Sequence, residues 1–280
     1  MMETFLGCNK SYDEANTVLF GAPFDSTTSY RPGARFGSRT MRAESYALET
    51  YSPYLDKDLE SDKRVCDLGE LELCFGDSQV ALNAIEAQTE IILADGKRPL
   101  MIGGEHLVSL GAIRAAAKKY PDLHVIHFDA HTDLRADYLG AELSHATVMR
   151  RAWDMLGDGR IFQFGIRSGD RPEFMWAAEG HVQMSKFDFA GLKETVLKLL
   201  DKPVYFSIDL DVLDPSVFPG TGTAEPGGVT FMQLLEAVYE VCRLDIVACD
   251  ICELCPVYDP SGASTAVALK ILREMLLAMK

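Results

Sequence analysis

Residues 204–215 read VYFSIDLDVLDP. Val204 to Ile208 offers apolar side chains on both faces of a strand, the pattern of a central strand in a parallel sheet covered on both sides. Working outward, similar short runs recur at Val18 to Ala22, Arg64 to Leu68, Leu100 to Ile102, His124 to Asp129, Ile161 to Gly165, His181 to Met184 and Ile246 to Cys252. Helix-like stretches lie between them. Asp77 to Asp95 is expected to turn Val80, Ala84, Ala87, Ile91 and Ile92 toward one face. Thr230 to Cys242 and Thr265 to Met279 read the same way, the latter closing the chain. Strand alternating with helix predicts an α/β protein built on one parallel sheet. Thr27 to Ser38 and Asp214 to Gly228 are rich in turn formers and are expected to be long loops. No repeat, low-complexity stretch or composition break marks a linker, so residues 1–280 are expected to form a single domain.

The composition, 48% hydrophobic and 25% charged, suits a globular chain with a sizeable core. A net charge of -15 argues against nucleic acid as a partner and mildly favours a cationic ligand. The first residues lack a basic segment leading into an apolar one, and no apolar run is long enough to span a bilayer. Seven cysteines, an odd number at low density, suit a reducing compartment, so the expected location is cytoplasmic, with no membrane partner.

In a parallel sheet, chemistry gathers at the carboxyl ends of the strands. Three candidate strands here end in metal-ligand residues. One runs into Gly103-Gly104-Glu105-His106; another into HFDAHTD, with Asp129, His131 and Asp133 spaced two apart; the third carries Asp209 and Asp211. In extended chain, residues two apart point to the same side, so each run is expected to aim its ligands at one spot. Carboxylates with a minority of imidazoles suit manganese better than a thiolate zinc site. Four Asp carboxylates balance two divalent cations. A lone Asp at a strand end is ordinarily a cap or turn former, but several unpaired buried acids close together would cost several kcal/mol each, about the scale of burying an ion.

HFDAHTD and SIDLDVLDP, with Gly103 to His106 and PGTGTAEPGG at Pro219 to Gly228, resemble the motifs of the ureohydrolase family, which includes arginases and agmatinases. The resemblance runs through most of the chain and implies a three-layer α/β/α fold around an eight-stranded parallel sheet. It implies two Mn2+ per subunit, one held by His106, Asp129, Asp133 and Asp209, the other by Asp129, His131, Asp209 and Asp211, so that Asp129 and Asp209 bridge. A hydroxide between the ions would attack the guanidinium carbon. Glu253, in Glu-Leu-Cys-Pro, matches the family position that takes paired hydrogen bonds from the guanidinium. His145, twelve residues after Asp133, matches the histidine that shuttles protons to the leaving group. Thr223 and Asp133 are further candidates for contacting the hydroxide or the guanidinium. His124, His127 and His181 read as structural, with His127 placed by parity to brace a ligand. Relatives commonly form homo-oligomers, trimers or hexamers.

The substrate turns on what is missing. Arginases read an amino-acid head group through an Asn and a Ser-Gly-Asn turn, where this chain has Arg135 and Gly140 to Ser144. That points to agmatine, cleaved to putrescine and urea, with Glu142 or Asp170 facing its ammonium. Arg135 would instead suit an acidic tail such as that of guanidinobutyrate. A metal-loaded regulatory protein without turnover is the alternative of another class. Cys249, Cys252 and Cys255 form a Cys-x-x-Cys-x-x-Cys run, read as small buried hydrophobes because three-residue spacing in a strand alternates faces. Arg31 to Gly37 is expected to pack near the site mouth.

Overall fold

The computed structural model describes residues 3–280. In chain order the strands are β1 (Thr17–Gly21), β2 (Tyr51–Ser52), β3 (Lys57–Asp58), β4 (Val65–Glu70), β5 (Arg98–Ile102), β6 (His124–Phe128), β7 (Ile161–Ile166), β8 (Gln183–Lys186), β9 (Pro203–Asp209) and β10 (Asp245–Cys252). The helices are α1 (Gly37–Glu44), α2 (Leu59–Asp62), α3 (Ser78–Ala94), α4 (Ser109–Lys119), α5 (Val148–Leu156), α6 (Arg171–Ala178), α7 (Leu192–Lys198), α8 (Phe231–Val241) and α9 (Ala263–Ala278). Eight strands form one sheet in the order β4-β1-β5-β10-β9-β6-β7-β8, every neighbouring pair parallel. The small β2–β3 hairpin, absent from the sequence reading, stands apart from it.

The architecture is three-layered. Along β9, Val204, Phe206 and Ile208 pack into one core with residues of α7, α8 and α9, while Tyr205 packs into the other with residues of α3, α4 and α5. Each large side chain removed from water contributes about 1.5–3 kcal/mol, so both faces stabilise the sheet. The helix at 78–94 corrects the expected face. Of the five residues assigned to it only Ile92 is buried, whereas Val80 is 50% and Ile91 56% exposed. The buried stripe is Ala81, Leu82, Ile85, Thr89, Ile92 and Leu93. Thr89 conceals this from the sequence: its hydroxyl donates to the Ile85 carbonyl, 2.8 Å away, which lets a polar residue sit inside. The expected loop 27–38 is also shorter, because Gly37 and Ser38 already belong to α1.

Strand order places the site. The chain leaves β5, skips two positions and resumes at β6; β9 and β10, made last, fill the gap. Register then aligns Phe128, Ile208, Ile251 and Ile102 in one row across the four central strands. The residues just beyond that row are Asp129, Asp209, Cys252 and Gly103, so the metal-ligand motifs emerge side by side at the carboxyl edge.

Candidate metal centre

The six expected ligands meet at that edge. His106 Nδ1 lies 3.1 Å from Asp129 Oδ2, 3.0 Å from Asp133 Oδ2 and 3.5 Å from Asp209 Oδ2. His131 Nδ1 lies 3.0 Å from Asp211 Oδ2 and 3.4 Å from Asp129 Oδ1. All are buried except His131, which is about a quarter exposed. The route differs from plain strand alternation. The strand β6 ends at Phe128, and Asp133 turns back toward the others because its backbone is left-handed, φ 52°. Asp209 closes β9, but Asp211 sits in a 3-10 turn, Leu210–Val212, where Asp209 accepts from its N–H at 2.9 Å. Left-handed backbone at an Asp is uncommon and persists where surroundings dictate it.

No lysine or arginine stands against these acids: among the described residues, none forms an ion pair with Asp129, Asp133, Asp209 or Asp211. Burial and the Asp129 charge push the Asp133 carboxyl up to about 7. Burial, with Asp211 and Asp129, drives Asp209 well above the carboxylate range. Burial opposes charge on His106, yet Asp129 and Asp133 outweigh it and raise its pKa. Crowded acids that hold on to protons are a set of oxygen donors fitted to divalent ions.

Other groups brace this set. His127 Nε2 is 2.8 Å from Asp129 Oδ2, and its Nδ1 is 3.0 Å from the Gln163 amide. Parity with Asp129 places it to brace that ligand, and its neighbours in the cluster are His106, Asp129 and Asp133. His106 Nε2 meets Ser207 Oγ at 2.8 Å; Ser207 in turn donates to buried Asp250 at 2.8 Å. His124 and His181 stand outside, the latter stacked on Trp176.

One cavity of about 220 Å³ opens onto the cluster, lined among others by His106, His131, Asp133, Asp209, Thr223 and Glu253. Glu253 also takes a left-handed backbone, φ 67°, and accepts the His106 N–H at 2.9 Å. Burial, Glu105 and Asp211 hold its carboxyl well above the usual range, so a cation beside it would be welcome. His145 lines the same cavity from the start of a 3-10 turn; burial lowers its imidazole to about 4, leaving it neutral at pH 7. Thr223 Oγ1 is 3.4 Å from Asp211 Oδ2.

The outer wall holds residues that the sequence left out, Ser29, Tyr138, Ser168 and Glu173, together with Asp170 and Arg135. Arg135 is tied back, 3.1 Å from Asp170 and 3.6 Å from Glu173, with its guanidinium over the Tyr138 ring. Glu142 does not reach the cavity; its side chain is 79% exposed and faces Arg151 at 3.8 Å. Glu173 was hidden because its role is tertiary. It caps α6 by accepting the Asp170 N–H at 2.6 Å, and it also accepts from Leu134 N–H at 3.0 Å, fixing the loop that carries Asp133. The three cysteines at 249, 252 and 255 are buried and unpaired. Of the 31–37 segment, Arg31 stacks on Tyr258, and none of its residues lines the cavity.

A family model described as the arginase family matches residues 15–278. An agmatinase from Bacillus subtilis (strain 168) is 49% identical over 98% of this chain and 96% of its own. A guanidinobutyrase from Pseudomonas aeruginosa is 33% identical over 94% of this chain and 86% of its own. The agmatine ureohydrolase structure from Thermoplasma volcanium superposes with a TM-score of 0.91 at 34% identity, covering 99% of this chain and 94% of that one.

Proposed function

The chain belongs to the arginase family, and from that premise we propose that it hydrolyses agmatine to putrescine and urea. His106, Asp129, His131, Asp133, Asp209 and Asp211 would hold two divalent ions, with Asp129 and Asp209 shared between them. Manganese suits the carboxylate-rich donor set. The observation that carries the reading is the meeting of four acids that no Lys or Arg offsets, two of them on the wall of the cavity that Glu253 and His145 also line.

When bound, the ions supply Lewis acidity and let water act as a nucleophile at neutral pH. The protein does the rest. Glu253 accepts paired N–H bonds from the planar guanidinium, which returns its carboxyl to the charged form and aims the central carbon at the cluster. Thr223 and Asp133 border that position. Neutral His145 takes a proton from solvent at a ring nitrogen and delivers it to the departing amine as the C–N bond breaks. The alkyl tail runs outward to Asp170 and Glu173, whose two carboxylates outnumber the one Arg135 cation bound to them. That balance favours the ammonium of agmatine over the acid of guanidinobutyrate, which an untied Arg135 would favour.

Among the described residues no helix is long and apolar enough to cross a membrane. The unpaired cysteines support a reducing, cytoplasmic location. The test is urea release from agmatine, guanidinobutyrate and arginine by manganese-loaded protein. Agmatine is expected to be the fastest substrate; a clear preference for either of the others overturns the assignment.

A further inference from the structure

Glu105 is fully buried beside the cluster, yet it faces away from the six ligands. Its carboxylate accepts four hydrogen bonds from the loop after β1. Thr27 N–H lies 3.1 Å from both oxygens, Thr27 Oγ1 donates to Oε1 at 2.6 Å, and Thr28 Oγ1 donates to Oε2 at 2.8 Å. In its charged form the carboxylate only accepts, so the single Thr27 hydroxyl proton is committed to Glu105. The lone pairs of the same oxygen then face the His145 backbone N–H, which donates to it at 3.0 Å.

His145 is thus held by its backbone while its ring is held loosely. Nδ1 is 3.3 Å from Ser144 Oγ and Nε2 is 3.4 Å from Ser29 Oγ, two residues beyond Thr27. Tyr138 meets the ring only edge-on, with centroids 5.6 Å apart. Such an arrangement fixes where the imidazole stands without spending either ring nitrogen on a strong partner, and a proton carrier needs both free to exchange. The Glu105 side has its own anchor, the Glu105 N–H donating to Phe24 O at 2.8 Å.

We propose that Glu105 and Thr27 are positioning residues for the reaction, a carboxylate–hydroxyl clamp that seats the backbone of His145 at the cavity wall. This rests on the proton-carrying role given to His145 above. Thr27 touches none of the six cluster residues, so its loss spares them.

The experiment uses the manganese-loaded enzyme with Thr27→Val, Thr27→Ser and Glu105→Gln, and repeats Thr27→Val in a His145→Asn background. Thr27→Val and Glu105→Gln are expected to lower kcat for agmatine about tenfold with KM within about twofold, as for a displaced catalytic group. Thr27→Ser restores kcat, and Thr27→Val costs less than about twofold once His145 is gone, because coupled residues are not additive. Amide exchange across residues 143–147 quickens in Thr27→Val and not in Thr27→Ser, while bound manganese is unchanged in both. An equal loss with and without His145, an unaltered kcat in Thr27→Val, or unaltered exchange overturns the clamp. Should the wild-type enzyme release no urea from agmatine, the substrate assignment fails while the exchange comparison still decides this one.

Discussion

Replacing Gly104 by Ala tests the geometry most sharply. A Cβ built at Gly104 would stand 2.0 Å from the Phe24 carbonyl oxygen and 2.8 Å from the Phe24 C and N atoms. These are backbone atoms and cannot rotate aside, so the segment around Phe24 must retreat by about an ångström to restore ordinary contact. Strain of this kind costs about 1–3 kcal/mol. The retreat also breaks the Glu105 N–H to Phe24 O bond, worth about 1 kcal/mol, for a total of about 2–4 kcal/mol. A chain of 280 residues unfolds with an entropy of about 0.6 kcal/mol/K, so the melting temperature should drop by about 3–7 °C. Thr27 lies three residues beyond Phe24, so His145 moves with it, and a misplacement of that size is expected to cost about 10²-fold in kcat. Thermal melts and agmatine turnover of manganese-loaded Gly104→Ala measure both. A variant that melts within a degree of wild type and turns over normally would show that this contact neither strains the fold nor seats the site.

His145→Asn should slow turnover by about 10²-fold or more, the usual worth of a positioned acid–base group, with manganese content unchanged; metal analysis beside the kinetics checks this, and lost metal contradicts the assigned role. Asp170→Asn removes a charge-assisted contact worth about 1.5–3 kcal/mol, so KM for agmatine should rise about tenfold or more while guanidinobutyrate, facing a freer Arg135, is hydrolysed better. Chelation should lower the melting temperature, because the four acids then repel one another. In the metal-free protein this penalty has a pH sign. Asp133 is pushed up to about 7, so the fold keeps a proton that the unfolded chain has released; stability is greater on the acid side and declines as pH climbs through 7. Melts of the metal-free and loaded forms from pH 6 to 8 should diverge, and parallel curves contradict it.

The sheet was legible because each central strand is a short apolar run, and such runs need no tertiary information to be found. The ligand motifs were legible for a similar reason, each being contiguous. What escaped depends on contacts between distant segments. Thr89 enters the core by bonding within its own turn, which shifted the expected face of α3. Asp133 joins the cluster through a left-handed turn that no two-residue periodicity encodes. Glu173 looks like an ordinary surface acid in sequence, and Glu105, though inside a quoted motif, shows no sign there of its hold on Thr27, since their partners lie 39 and 78 positions away. The cavity likewise includes Asp170 and excludes Glu142, though both are acidic loop residues.

The strand order also carries a timetable. His106 and Asp129 leave the ribosome well before Asp209 and Glu253, but β5 and β6 belong to one continuous sheet only once β10 and β9 slot between them. The nascent chain therefore holds His106 after β5 and half of the acids after β6, with an open seam between the two strands, and long-range parallel pairing of this sort closes slowly. Cation capture must wait for the final third of synthesis, so a chain cut short before Asp245 carries all six ligands but lacks β10, the strand that joins the β5 half of the sheet to the β9 half.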